Sequence, residues 1–414
     1  MTPRRLDAEG LQLGGGLEVL LAAALEGLAP GARLEVVGPS RATALELHGW
    51  ARRAGHATVG EQLPDGGPYA VVVERGPNAR VLGDPIGPRG APPPLRAGGE
   101  FHTGDLRRGE PAPGTADAQQ GFVPVGARPE PGAPAFDWAL NDRDPLWADD
   151  VAELAEQATC AQWDASRDVP WAAARELPDF MERAVAQVMT FIAQNEYAAL
   201  YVPAAFLPHV NPAYAEVVMW LAGHVHDEAR HIEVFTKRAL IGGYAGQALA
   251  STELSLKTLL EERDFSGAAL LLNVLGEGTF LDLLSFVERH APDAATRAAA
   301  HLAHRDEVRH VHFGISHVRR RMATDPDMRA SLVAAAERRA EKLTEMSGLS
   351  PLLGEGLTVM AAGSLQPAEL AEGARAVRDL MQTMEDNRIK RLQAAGFDAA
   401  TATHLSELHT PNLM

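Results

Sequence analysis

Apolar positions change their spacing twice along the chain. Up to about residue 76, helical and strand spacings alternate. Gly16 to Leu28 is amphipathic and stops at Pro30-Gly31, a helix-ending pair. Leu34 to Val37 is a short apolar run of strand type, and Ser40 is placed to cap a second helix that runs to Arg53 and stops at Gly55. His56 to Gln62 and Tyr69 to Arg75 flank Pro64-Asp65-Gly66-Gly67-Pro68, which reads as strand, turn, strand. Residues 77–135 are dense in Pro and Gly, with Pro92-Pro93-Pro94, Pro111-Ala112-Pro113 and Pro131-Gly132. Such a stretch supports neither regular helix nor strand. From about residue 147 onward the spacing is helical. The pattern predicts three parts: a small α/β unit over 1–76, a Pro/Gly-rich linker or arm over 77–146, and a helical domain over 147–414.

The first part resembles the small TusA-like sulfur-carrier proteins of bacteria. The resemblance rests on GARLEVVGPSRATALELHGWARRAGH followed by YAVVVERG, about a sixth of the chain. It implies a small α/β sandwich. The family's chemistry lies in a Cys-Pro-x-Pro motif before the first helix, where this chain has Leu13-Gly14-Gly15-Gly16. Without that thiol the unit is expected to dock, recognise or pack, and to carry no sulfur.

Four helical segments in the third part hold the candidate chemistry: Pro178 to Val202 with Glu196, Pro212 to Leu240 with Asp227-Glu228-Ala229-Arg230-His231, Phe265 to His290 with Glu277, and Asp293 to Met322 with Asp306-Glu307-Val308-Arg309-His310. Residues three apart share a helix face, so Glu228 with His231, and Glu307 with His310, can reach one region together. Glu196 and Glu277 stand alone among apolar neighbours, where an uncompensated carboxylate is costly and coordination of a cation removes most of the cost. Glu196 precedes Glu228 by 32 positions and Glu277 precedes Glu307 by 30; the two Asp-Glu-x-Arg-His motifs lie 79 apart. This is the Glu, Glu-x-x-His, Glu, Glu-x-x-His order of dimetal carboxylate bundles. Four carboxylates and two neutral imidazoles balance two divalent ions and suit iron or manganese.

Residues 178–322 thereby resemble the ferritin-like superfamily of carboxylate-bridged di-iron proteins, with the motif form closest to its oxygenase and acyl-carrier desaturase branch. The resemblance implies a mainly α fold: a ferritin-like four-helix bundle with additional helices, preceded by the α/β sandwich. It implies that Glu228 and Glu307 bridge two iron ions, that His231 and His310 bind one each, and that Glu196 and Glu277 are terminal ligands. Asp227, Arg230, Asp306 and Arg309 would lie behind the imidazoles, orienting them and balancing the carboxylates. Arylamine N-oxygenases of the superfamily carry an extra histidine ligand in the last core helix. Here His224, four before Glu228, and His304, three before Glu307, are the candidates for a further ligand. His301, His312 and His317 read as surface positions. Gly276 and Gly278 flank Glu277 at the expense of helix stability, either for close packing or for room beside the metals. Pro203 is expected to kink or end the first helix.

Composition narrows the function. A formal charge of −17 over 414 residues argues against nucleic acid or an anionic membrane as partner. The local run Arg319-Arg320-Arg321 fits a helix C-terminus. One cysteine, Cys160, excludes an intramolecular disulfide or a rubredoxin-type iron centre and reads as a buried structural thiol. The N-terminus carries no secretory pattern, so a cytoplasmic protein is expected. With neither a dinucleotide fingerprint nor iron–sulfur cysteines, reducing equivalents are expected from an external donor such as a ferredoxin or reductase. The reading is an oxidoreductase using O2 as co-substrate (monooxygenase, N-oxygenase or desaturase) on a small or carrier-bound substrate. A homodimer stays open. The alternatives are a ferroxidase or iron-handling protein, a manganese protein, and a metal-dependent binder without turnover.

Overall fold

A computed structural model describes residues 3–65, 67–77, 95–107, 109–115, 117, 121–127, 135–174, 176–343 and 350–408. Contacts divide the chain into two compact units, 1–93 with 126–134, and 94–125 with 135–414. Pro92-Pro93-Pro94 and Pro131-Gly132 lie outside the described residues.

In the first unit, β1 (Arg4–Asp7), β2 (Arg33–Gly38), β3 (Ala57–Gln62) and β4 (Tyr69–Glu74) form one sheet in the order β1-β2-β4-β3. Only the β1–β2 pair is parallel. Burial alternates along β2 and β4, and the inward Leu34, Val36, Tyr69, Val71 and Val73 pack with leucines of α1 (Leu17–Glu26) and α2 (Arg41–Arg53). Ser40 caps α2 by accepting a hydrogen bond from the Thr43 amide. β1 departs from the sequence reading. Its single apolar residue gives no alternation, and its pairing comes from β2.

The second unit is mainly helical: α3 (Val151–Cys160), α4 (Asp179–Phe206), α5 (Ala215–Leu240), α6 (Ala250–Leu260), α7 (Phe265–Arg289), α8 (Ala294–Thr324), α9 (Met328–Leu343), α10 (Pro351–Ala362), α11 (Pro367–Ala394) and α12 (Ala399–Leu408). Helices α4, α5, α7 and α8 form a four-helix bundle, with α4 against α5 and α7 against α8 as its closest pairs. One end is clamped by fully buried Arg238 of α5, which pairs with Glu182 of α4 and, at 2.8 Å, with Asp293, whose carboxylate also caps α8. Residues of the Pro/Gly-rich stretch lie against these helices. The Thr103 amide donates to Glu156 at 2.7 Å, and Arg107 pairs with buried Glu216 at 3.1 Å.

Of the two outcomes expected at Pro203, it does not end α4, which continues to Phe206. Two local readings are corrected. Cys160 is exposed, because it falls in the last turn of α3, beyond the buried face. His317 is fully buried: Ser266 and the Trp147 carbonyl, both distant in sequence, reach its two ring nitrogens at 2.9 Å. His301 and His312 are exposed. The α7 segment is long and apolar enough to cross a membrane by composition, but it is largely buried among its neighbours as a core helix and carries Glu277.

α7 is not uniform. Leu270–Glu277 is π-helical, between α-helical Phe265–Ala269 and Gly278–Arg289. Wide turns of this kind recur at functional sites. Gly278 serves packing, since a Cβ there would meet the Arg391 Nε at 2.7 Å.

Candidate metal centre

Halfway along the bundle, between the apolar cluster of Val188, Ile192 and Leu284 and that of Ala199, Leu270 and Val274, each helix turns a carboxylate inward. Glu196 of α4, Glu228 of α5, Glu277 of α7 and Glu307 of α8 are at most 4% exposed, and His231 and His310 are fully buried. The structure brings all six together and adds His224.

Two groups of four form, each with its ligand-type atoms within 4.8 Å of one another: Glu196, Glu228, His231 and Glu307, and His224, Glu228, Glu277 and His310. Glu228 belongs to both. Its two oxygens lie 3.3 Å from His231 Nδ1 and 2.9 Å from His310 Nδ1. Glu307 does the same at 3.2 and 3.5 Å. His224, one turn before Glu228, places Nε2 3.1 Å from Glu277 and 3.3 Å from Glu228. His304 is half-buried and belongs to neither group.

Behind the imidazoles the acids cross between helices. His231 Nε2 lies 3.3 Å from Asp306 of α8, and His310 Nε2 lies 3.4 Å from Asp227 of α5. Arg230 spans Asp227 and Asp306, at 3.0 Å from the latter, and Arg309 spans the same two acids, at 3.2 Å from Asp227. Two supports came from outside any motif. The Trp163 indole donates to Asp306 at 2.7 Å with Arg230 over its ring, and the Gln162 amide donates to Asp227 at 3.2 Å. A third, Asn273, donates to Glu277 at 2.6 Å. Its position four before Glu277 in an apolar run was the available signal.

The buried acids and imidazoles shift one another's protonation in opposite directions. Burial, then the charges of Glu228 and Glu307, push the Glu196 carboxyl well above its usual range; burial chiefly raises Glu277. Burial would also raise Glu228, but His231, His224 and His310 outweigh it and hold it well below. Burial disfavours charge on His231 and His310, yet Glu228 and Asp306 beside the first, and Asp227 and Glu228 beside the second, carry both well above the ordinary value. Divalent ions bound at such a cluster would displace protons from it.

The donor set fits such ions. Both oxygens of Glu228 and of Glu307, one oxygen of Glu196, and Nδ1 of His231 and His310 are buried and form no hydrogen bond. Orphaned buried polar atoms are rare in folded proteins, and seven at one spot, six of them facing one another at 2.9–3.5 Å, form a cradle of the kind that holds cations. The Nε2 atoms face carboxylates, which leaves the Nδ1 lone pairs directed inward, as in metal-binding histidines.

A cavity of about 30 Å³ adjoins the centre, lined by Glu196, Glu277 and Glu307 together with Leu256, Leu259, Leu272, Gly276 and Phe280. Gly276 therefore borders open space, in contrast to Gly278. The cavity reaches both lone glutamates, and Pro203 takes no part in lining it.

No protein-family model and no curated protein matches the chain. Among solved structures it is similar to an R2-like ligand-binding oxidase mutant with aerobically reconstituted Mn/Fe cofactor, at TM-score 0.45 and 16% identity over 60% of this chain and 92% of that one. Another mutant of that kind with aerobically reconstituted Fe/Fe cofactor gives 0.40 and 17%, over 57% and 92%. Protein 19 with aldehyde deformylating oxidase activity from Synechococcus gives 0.41 and 15%, over 55% and 96%. Likeness at this level does not carry metal or substrate across.

Proposed function

We propose that this chain is an O2-activating non-haem dimetal oxidoreductase whose centre is held by Glu196, Glu228, His231, Glu277, Glu307 and His310, with His224 as a seventh ligand. The observation that carries the reading is the set of seven buried, unbonded donor atoms divided between two groups that share Glu228. Glu228 and Glu307 would bridge, since each offers one oxygen toward either imidazole. Two iron ions are the first expectation; the carboxylate-rich set accommodates manganese equally. When bound, the metals supply the redox chemistry that O2 activation needs.

The chain's own residues do the rest. Asp306 and Asp227 hold the imidazoles in the tautomer that leaves Nδ1 free. Arg230 and Arg309 neutralise those aspartates, keeping the structure behind the centre charge-balanced. The leucines and Phe280 keep water from the cavity and give an organic molecule an apolar bed next to Glu196 and Glu277. Electrons would arrive from a separate donor protein. That apolar bed favours an oxygenase or oxidase over the alternative, a ferroxidase that handles iron alone.

Anaerobic loading with Fe(II), followed by stepwise iron and O2, tests this. Oxidation should stop near two irons per chain. Continued uptake of tens of irons into a mineral would overturn the reading in favour of storage.

A further inference from the structure

Three buried arginines of the four-helix bundle have carboxylate partners, Arg238 with Glu182 and Asp293, and Arg230 and Arg309 with Asp227 and Asp306, whereas outside it Arg388 bonds only to Ser406. Arg339 of α9 also has no carboxylate partner among the described residues, and unlike Arg388 it lines the cavity beside the carboxylate cluster. It is 6% exposed, and among the described residues its guanidinium meets two neutral hydroxyls only. Nε donates to Thr258 Oγ1 at 3.1 Å and Nη2 to Ser255 Oγ at 2.7 Å. The Thr258 hydroxyl gives its own proton to the Ser255 carbonyl at 2.6 Å, which leaves its oxygen free to accept. The two hydroxyls, three apart on α6, fix the plane of the guanidinium, while Nη1 has no hydrogen bond to the described residues. A buried cation with no counter-charge is expensive, and burial alone pulls this group down to about 10.

The position of Arg339 gives that cost a purpose. It lines the 30 Å³ cavity with Glu196, Glu277 and Glu307, and it also lines a second cavity of about 180 Å³ that includes Arg263, Arg338 and Lys342. In the second cavity Lys342 pairs with Glu261 at 2.6 Å and Arg338 with Glu262 at 3.6 Å, so Arg263 and Arg339 remain as cations without an ion pair among the described residues. The outer cavity, lined by four cations against Glu261 and Glu262, and the apolar cavity beside the carboxylate cluster have Arg339 as their common wall.

We propose that Arg339 is a specificity-determining residue that binds the anionic oxygen head group, carboxylate or phosphate, of a substrate whose apolar body lies toward the metal centre. The proposal rests on the dimetal reading for what happens at the apolar end, but not for the binding itself. A guanidinium recognises either head by paired hydrogen bonds, which an alcohol cannot supply. The inner cavity holds little more than one water, so entry of a ligand displaces the side chains that line it. The head group is held at Arg339, and the bond presented to the metals belongs to the apolar part.

The test is calorimetric titration of the whole protein, metal-loaded and metal-free, with octanoate, octyl phosphate and octanol. Wild type should bind at least one of the two anions ten or more times more tightly than octanol, with or without metal, the better anion identifying the head. Arg339→Gln should abolish the preference and Arg339→Lys should keep part of it. Ser255→Ala, which loosens the guanidinium without removing it, should reduce it. Equal affinity of wild type for octanol and both anions would overturn the proposal even if Arg339→Gln fails to fold. A preference that survives in Arg339→Gln, or that vanishes on metal removal, would overturn it too by placing the anion on the metals. An Arg339-dependent preference in a protein that binds no iron would leave the anchor standing and sink the dimetal reading alone.

Discussion

His224 and His310 lie face to face, with ring centroids 3.8 Å apart and planes 24° from parallel. Two charged imidazoles so placed would repel; two neutral rings that each give a lone pair to the same ion would not. The group containing them has two imidazoles and two carboxylates, whereas the other has one imidazole and three. Metal positions held by these two groups would therefore be chemically unequal. His224→Ala should lower the metal content from two toward one per chain, leaving the Glu196, Glu228, His231 and Glu307 group filled. Metal analysis after desalting decides it, and full retention of both ions would remove His224 from the ligand set.

Glu228 is common to both groups, so Glu228→Ala should cost both ions, and Glu307→Ala should do nearly the same. Unchanged stoichiometry in both variants would be incompatible with the centre described.

Asp227→Asn and Asp306→Asn should each weaken metal binding by about 10- to 100-fold, the usual effect of disturbing a ligand's supporting carboxylate. The effect should be crossed: Asp227→Asn acts on the ion bound by His310, and Asp306→Asn on that bound by His231. Competition titrations with a chelator, read by an iron spectroscopy that separates the two ions, show which one loosens. Loss at the imidazole of the same helix would contradict the geometry.

His317 gives a pH dependence away from the centre. Its burial, opposed only by the Trp147 carbonyl, pulls its pKa to about 4, against about 6.5 in an unfolded chain. Between those values the unfolded chain binds a proton that the folded chain refuses, so stability is full above pH 6.5 and falls as pH drops toward 4. The loss from this residue is about 3 kcal/mol. Chemical denaturation at pH 7 and pH 4.5 should show a smaller difference for His317→Gln than for wild type; equal differences would refute it.

The N-terminal unit should transfer no sulfur, since Leu13-Gly14-Gly15-Gly16 has no thiol and Cys160, the single cysteine, lies in the other unit. A persulfide-transfer assay with the Cys160→Ser protein should show no turnover above background.

The four bundle helices and the meeting of six side chains could be read in the sequence because helical spacing and motif order are local properties, repeated twice. What lay across helices could not. Asp227 is four before His231, which suggests a partner on its own helix, yet tertiary packing gives it to His310. The π-helical turn was hidden because Leu270, Leu271, Leu272, Val274 and Leu275 are apolar all round and set no phase. His317 lies just before Arg319, Arg320 and Arg321, which suggested solvent, and only the approach of Ser266 and Trp147 buries it. Arg339 had no motif at all. Its role depends on having no carboxylate bonded to it among the described residues, which only coordinates reveal.

The crossing of the aspartates also bears on how the bundle assembles. The sequence repeats a hairpin, but neither copy is self-sufficient: α4 with α5 lacks the acid that orients His231, and α7 with α8 lacks the one that orients His310. Each half holds the missing part of the other, and each arginine needs an aspartate from across the divide. The repeated hairpins are thus one cooperative folding unit. Residues 179–240 and 265–324 produced as separate fragments should each be loosely ordered and gain their fixed packing together on mixing.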